Sequence, residues 1–406
     1  MLKRVIKCSN IERDFPLRTL IRLKNIFTLH LPILIKGELM RRFPSLYERL
    51  KLTPETAWLN PTDNCNMRCI MCNQWRETKT KELDLSEWKD LLRQLRDIGV
   101  KKVGLNGGEP LLRKEIVEIV SEITRLGMDP AIITSGFLLD QEKLDALIAA
   151  GLKHITVSID GVAEEYEKIR RREWGRVEAA GRRVAKAYRE GRVDANIGFV
   201  VMKNTLGHLP RIRAFCKELG LPLMFSLVDS TPFFFKIDEN QRKAVDTNWI
   251  TQNERPRLTE LQKLLVEMKQ EDHYSTVNTY ADIDYMSSYF DDPLQKKIPC
   301  TVSQLRIMIN GMGEVYGGCW SMGTYGNIRE TPLKDIIASS KYQRAHKAMF
   351  YKLCPGCSCG YTTNIRYSVP KQWKDRFFNL LPSLRKHIYT GAGEKPVPTE
   401  KEHANS

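Results

Sequence analysis

Between residue 56 and about residue 230 the chain alternates short apolar runs with longer stretches whose apolar residues recur every three to four positions. That is the rhythm of repeated β-α units around a parallel sheet. Six strands are predicted, near Ala57 to Asn60, Lys102 to Leu105, Ala131 to Thr134, Ile155 to Ile159, Ile197 to Val201 and Leu223 to Val228. Helical spacing marks the segments between them, Leu85 to Ile98, Ile116 to Leu126, Leu144 to Ala150, Val177 to Tyr188 and Leu209 to Leu219. The fold class is therefore α/β, a partial (β/α)6 TIM-like barrel over residues 56–230. In such barrels the chemistry belongs at the carboxyl ends of the strands.

Residues 231–298 break the rhythm with Phe233-Phe234-Phe235, Trp249, a helical stretch near Leu258 to Met268, and Tyr274, Tyr280, Tyr285 and Tyr289. This reads as an aromatic-rich helical insertion, with a small helical core favoured over a substrate cap. After Cys300 the alternation from Leu305 to Val315, interrupted by Asn310-Gly311-Met312-Gly313, predicts a β-hairpin. Thr331-Pro332 then opens a short helix. Residues 299–365 are expected to form a small α+β cysteine-rich domain. Residues 366–406 read as an amphipathic helix, with Trp373, Phe377, Leu381, Leu384 and Ile388 on one face, followed by a disordered polar tail.

At 406 residues the chain exceeds what one hydrophobic core usually serves, so more than one unit is expected. The formal net charge of +15 is lopsided, because residues 1–55 hold twelve Lys and Arg against five Asp and Glu. A basic amphipathic extension of this kind suits a solvated face, anionic lipid, nucleic acid, or an acidic electron donor such as flavodoxin or ferredoxin. Nucleic acid is disfavoured because no separate basic RNA-binding module is discernible. The most apolar run there, Asn25 to Ile35, has eleven residues and reaches roughly 16 Å as a helix, against about 30 Å of hydrocarbon. It is too short to span a bilayer; docking on the main domain is favoured over lying at a membrane surface. The amino terminus lacks an apolar run of signal-peptide length, so the ten cysteines are read as reduced thiols of a cytoplasmic protein. Peripheral contact with the inner face of the membrane is the alternative.

Cys65, Cys69 and Cys72 fall within eight residues, separated by three and then two positions. Three local thiolates leave one iron of a 4Fe-4S cube without a protein ligand, and an open iron binds substrate. Zinc sites, the alternative, usually draw on two separated pairs. The spacing resembles the signature of the radical S-adenosylmethionine (radical SAM) superfamily, in which that iron chelates the amino and carboxylate groups of the cosubstrate. Gly107-Gly108-Glu109-Pro110 ends the second strand and resembles the family motif that holds the methionyl amino group. Ser135 at the end of the third strand offers a hydroxyl for the ribose or methionine moiety. Ser158 and Asp160 match the Ser-hydrophobic-Asp-Gly element of members that carry a carboxyl-terminal cluster domain. Arg170 resembles the arginine that meets the methionyl carboxylate, with Arg171 as the alternative. Where the family often has an aromatic residue before the third cysteine, this chain has Met71.

A second group comprises Cys300, Cys319, Cys354, Cys357 and Cys359. It resembles the twitch or SPASM module, and Gly326-Asn327-Ile328 resembles that module's middle section. Five cysteines support one auxiliary iron-sulfur cluster rather than two. Cys300, Cys319, Cys354 and Cys357 fit best; Cys359 can replace any of them, and a zinc knuckle is the alternative. Cys8 and Cys216 read as packed or idle thiols.

The resemblance implies an enzyme in which a reduced 4Fe-4S cluster cleaves S-adenosylmethionine to a 5'-deoxyadenosyl radical that takes hydrogen from a substrate. Motif and fold do not choose that substrate. The basic amino-terminal arm tilts the expectation towards an envelope lipid or polysaccharide, with a ribosomal-peptide maturase as the alternative. A non-catalytic iron-sulfur electron carrier is a third reading, but it leaves Gly107 to Pro110 and Asp160 without a use.

Overall fold

The computed structural model describes residues 31–72, 74–76, 79–228, 247–292, 300–318 and 323–351. From Pro32 onward they belong to one compact unit, Pro32–Tyr367. The second unit, Met1–Leu31 with Ser368–Ser406, lies almost wholly outside the described residues, as do the basic segment before residue 31 and the amphipathic segment at 373–388. The described end of the amino-terminal arm is helix α1, Leu31–Arg42. It docks through Met40, which is fully buried with Tyr47 and Phe350 and whose carbonyl accepts a bond from the Tyr351 hydroxyl at 2.9 Å. No described helix is long and apolar enough to cross a membrane.

All six strands read from the sequence form: β1 Thr56–Thr62, β2 Lys102–Gly107, β3 Asp129–Thr134, β4 His154–Ser158, β5 Asp194–Val201 and β6 Leu223–Leu227. Between them run α2 Leu85–Asp97, α3 Ile116–Arg125, α4 Gln141–Ala149, α5 Glu164–Arg170 with α6 Trp174–Arg189, and α7 Leu209–Leu219. Each helix is amphipathic against the sheet: α2 buries Trp88, Leu91, Leu92 and Leu95, and its start is fixed by a capping box between Asp84 and Glu87. The strands bury both faces, as parallel strands covered by helices do; Val103, Leu105, Ile132, Ile155, Val157 and Ile197 have no exposed surface.

The sheet is open, in the order β6-β5-β4-β3-β2-β1-β7-β8-β9. β7, Arg306–Ile309, lies parallel to β1 on the side away from β2, so that Ala57 pairs with Val103 on one side and Ile307 on the other. β8, Glu314–Gly317, turns back antiparallel to β7, and β9, Gly326–Asn327, follows. The hairpin read from Leu305 to Val315 therefore forms, but it extends the barrel sheet instead of standing apart.

The insertion supplies α8, Arg255–Glu271, and α9, Tyr280–Asp291. Trp249, Tyr289 and Phe290 pack ring against ring, with Trp249 and Phe290 centroids 4.9 Å apart. Asn278 bonds both the N–H and the carbonyl of Phe225, and Tyr289 donates to the Val228 carbonyl. Tyr285, Tyr289 and Phe290 are buried, whereas Tyr274 is 48% exposed; Phe233-Phe234-Phe235 lie outside the described residues. Helices α10, Leu333–Ala338, and α11, Ser340–Phe350, close the described chain. Pro332, with no side-chain cap, begins α10, where Thr331 was expected to cap.

Candidate active site

The three cysteines lie on the loop that leaves β1 at the carboxyl end of the sheet. Arg172 donates twice to the Asn66 carbonyl, Ile70 N–H donates to Ile169 O at 3.0 Å, and Asn248 Nδ2 donates to Ile70 O at 3.3 Å. The loop thus hangs on groups from α5, the turn after it and the insertion. None of the three thiols is in a disulfide. Burial pushes the Cys65 thiol up to about 12 and the Cys72 thiol up to about 11; burial also raises Cys69, with the Arg170 charge opposing it. Without metal the site is a set of neutral thiols, and metal binding releases their protons. Among the described residues no three His, Cys, Asp or Glu side chains gather around a single ion. A polynuclear cluster, in which each thiolate caps its own iron, suits the trio.

Gly107-Gly108-Glu109-Pro110 packs directly on that loop. Gly107 has φ +109°, and a Cβ on Gly108 would lie 1.9 Å from the Asn64 carbonyl oxygen. The close approach that demands glycine here is therefore to the cysteine-loop backbone, which accepts Gly108 N–H at Thr62 O (3.1 Å) and Glu109 N–H at Asn64 O (2.9 Å). Glu109, 1% exposed, accepts four bonds through its carboxylate: Oε1 from Thr134 Oγ1 (2.6 Å) and Leu111 N (3.1 Å), Oε2 from Ser135 N (2.8 Å) and Ser135 Oγ (2.6 Å). Ser135, expected to offer its hydroxyl to a ligand, gives it to Glu109. Pro110 begins the short turn Pro110–Leu112.

Asp160 has no exposed surface. Its Oδ2 accepts from Arg170 Nε at 2.5 Å and its Oδ1 from Val200 N at 2.7 Å, while Arg170 Nη1 lies 3.7 Å from Cys69 Sγ. Asp160 and Arg170 thus form a buried pair that ties the ends of β4, α5 and β5 to the second cysteine. Ser158 ends β4, half-buried and in register with Gly198. Arg171 caps α5 in the left-handed region, φ +58°, and its side chain lines a cavity of about 510 Å3 with Arg68, Cys69, Cys72, Trp75 and Asn248. Arg68 and Arg76 also stack on Trp75, 4.9 and 4.8 Å from its ring centre.

Of the second cysteine group, Cys300 is described; Cys319, Cys354, Cys357 and Cys359 lie outside the described residues, as does Cys8. Cys300 is buried, its N–H donates to Phe350 O at 3.2 Å, and its carbonyl accepts from Ser303 Oγ at 2.8 Å. Cys216 is packed inside α7 and the barrel core. Sequence reasoning missed Asp63, Thr134 as a partner of Glu109, Arg172 and Asn248. Asp63 sits two residues before Cys65 and was legible only as part of that run.

A thiol trio at the strand ends of an open, mostly parallel sheet defines the class: an iron-sulfur protein on a partial barrel. Residues 59–215 match the model of the radical SAM superfamily, and residues 300–359 match that of an iron-sulfur cluster-binding domain, SPASM. Residues 59–215 are thus a radical SAM domain and residues 300–359 a SPASM domain. Its cofactors are accordingly a 4Fe-4S cluster, S-adenosylmethionine and an auxiliary iron-sulfur cluster. A PqqA peptide cyclase of Gluconobacter oxydans is 37% identical over 163 residues, 39% of this chain and 45% of the relative. The chain spans less than half the length of the PqqA peptide cyclases it matches. An Fe-coproporphyrin III synthase of Methanosarcina barkeri is 27% identical over 308 residues, 70% of this chain and 73% of that one. In fold the chain is similar to Streptococcus suis SuiB bound to precursor peptide SuiA, with a TM-score of 0.59, 15% identity, and 81% of this chain and 77% of that one covered.

Proposed function

We propose that this chain is a radical SAM enzyme that modifies a peptide. What supports the peptide reading most directly is the 37% identity to a PqqA peptide cyclase over 163 residues. The envelope lipid or polysaccharide preference rested on the basic amino-terminal arm, most of which lies outside the described residues, and it gives way to this reading. When bound, the cluster and its cosubstrate supply reductive cleavage to a 5'-deoxyadenosyl radical, which takes a hydrogen atom from the substrate.

Cys65, Cys69 and Cys72 hold that cluster. Arg170 and Asp160 keep the Cys69 segment fixed, and Glu109 fixes the strand ends beneath the cosubstrate. Pro110, Ser135 and Ser158 complete the cosubstrate wall. Arg68, Arg76 and Arg171 give the neighbouring cavity a positive wall, which suits a carboxylate-bearing segment of the substrate. Cys300, Cys319, Cys354, Cys357 and Cys359 supply the ligands of the auxiliary cluster. An external flavodoxin or ferredoxin delivers the electron. A second reading, action on a tetrapyrrole carboxylate, draws on the longer alignment to the Fe-coproporphyrin III synthase and on the same arginines.

The test is anaerobic reconstitution with S-adenosylmethionine, a strong reductant and, in turn, peptides encoded beside the gene or coproporphyrin. The expected result is 5'-deoxyadenosine release that rises with one such peptide, together with loss of two hydrogens from that peptide by mass spectrometry. Release stimulated only by coproporphyrin transfers the proposal to the second reading, and a fully loaded protein that releases none overturns both.

A further inference from the structure

The cysteine loop is gripped from an unexpected side. Asp63, 5% exposed, follows β1 and precedes Cys65 by two residues. Its Oδ1 accepts from Asn60 Nδ2 at 2.6 Å and from Gln74 Nε2 at 3.1 Å, so one carboxylate oxygen staples the residues that flank the cysteine run on both sides. Its Oδ2 accepts from Gly311 N at 2.9 Å. Gly311 is the tip of the β7–β8 hairpin, 248 residues further along the chain. A Cβ on Gly311 would lie 3.3 Å from Asn60 O, Asp63 N and Asp63 Oδ2, a tight contact that the junction accommodates only by giving a few tenths of an ångström.

Further bonds hold the same junction. Gly311 O accepts from Leu83 N at 2.7 Å, and Glu82 Oε1 accepts from Thr62 Oγ1 (2.8 Å), Asp63 N (2.7 Å) and Asn64 Nδ2 (3.2 Å). Arg329, just beyond β9, forks onto Glu87 at 2.6 and 2.8 Å and donates to the carbonyls of Lys81 and Glu82. The other end of the hairpin leads to the second cysteine group: Cys300 lies six residues before β7, and Cys319 two residues after β8. The tip meets one metal-binding segment and the base leads from another.

We propose that Asp63 is the positioning residue through which the SPASM hairpin sets the geometry of the radical SAM cysteine loop. The proposal rests on the assignment of Cys65, Cys69 and Cys72 as ligands of the first cluster. A charged carboxylate at this point accepts from three donors, and an amide does not. In Asp63→Asn one amide oxygen remains, so the NH2 group faces either Gly311 N–H or the Asn60 and Gln74 amides, donor against donor.

The test compares wild-type and Asp63→Asn holoenzyme, reduced anaerobically, by electron paramagnetic resonance with and without S-adenosylmethionine. Each is also prepared with the cysteine trio replaced by alanine, which leaves the auxiliary signal alone. The expected result is an altered first-cluster line shape, loss of its response to S-adenosylmethionine, and a tenfold or greater fall in 5'-deoxyadenosine release, with the auxiliary signal unchanged. An Asp63→Asn line shape and response identical to wild type overturn the proposal; so does equal loss of both signals in a variant whose far-ultraviolet circular dichroism matches wild type. If Asp63→Asn does not fold, Gly311→Ala takes its place, since its Cβ crowds the tip against Asn60 and Asp63 while leaving the carboxylate intact, and the same two outcomes decide. A wild-type protein that shows the first-cluster signal but releases no 5'-deoxyadenosine counts against the proposed activity alone, because the line-shape comparison still reads the hairpin contact.

Discussion

Both oxygens of Asp160 are committed, one to Arg170 and one to the backbone of β5, and the pair has almost no contact with water. A buried pair is weak evidence for added stability, but removing one partner strands the other, at a cost of about 3–5 kcal/mol. Asp160→Ala is therefore expected to lower stability by about that amount in denaturant unfolding of the metal-free protein, with Asp160→Asn less severe because it still accepts one bond. A change under about 1 kcal/mol would mean that the pair is solvated. At this scale much of the site was legible. The cysteine trio was marked by its spacing and Glu109, Asp160 and Arg170 by the family resemblance, and the structure brings Arg170 to Cys69 and the Glu109 backbone to the cysteine loop. What the sequence hid was how fully these side chains are occupied with one another: Ser135 and Glu109 are 26 positions apart and meet only because β2 and β3 are neighbours. Asp63 was hidden for the same reason, its partner Gly311 being brought close by a pairing that no local pattern signals.

The β-α rhythm made the six barrel strands readable, because parallel strands buried on both faces leave uninterrupted apolar runs. The hairpin was readable from its Asn-Gly turn. Its pairing with β1 was not, because a parallel contact across some 250 residues carries no local signature. Gly107 ends β2 and Gly108 follows it, and the element that approaches them is the cysteine loop. Gly108→Ala tests that reading. With a Cβ 1.9 Å from Asn64 O the loop must shift, so the reconstituted first cluster is expected to fall well below wild-type iron content while the far-ultraviolet circular dichroism stays unchanged. Normal loading would show that loop and strand end slide apart without consequence.

At the level of the whole chain, two cysteine groups predict two clusters. Anaerobically reconstituted protein is expected to carry about eight irons per chain, and the variant with Cys65, Cys69 and Cys72 replaced by alanine about four. Iron and acid-labile sulfide assays decide this; about four irons in the unaltered protein would leave the auxiliary site to zinc or to nothing. The net charge of +15 said that an anion is welcome without saying where, and the positive wall beside the cysteine loop is one concrete place.

β1 is also a strand with neighbours made at opposite ends of synthesis: β2 follows it within 40 or so residues, whereas β7 emerges from the ribosome only after some 250 more have been added. Until then the strand that leads into the cysteine loop is a sheet edge, with its hydrogen-bonding groups unclaimed on one side. Biogenesis therefore has a built-in order: a nascent chain halted before residue 306 offers its thiols from an unfinished frame, and a well-formed loop waits for the β7–β8 hairpin to be made.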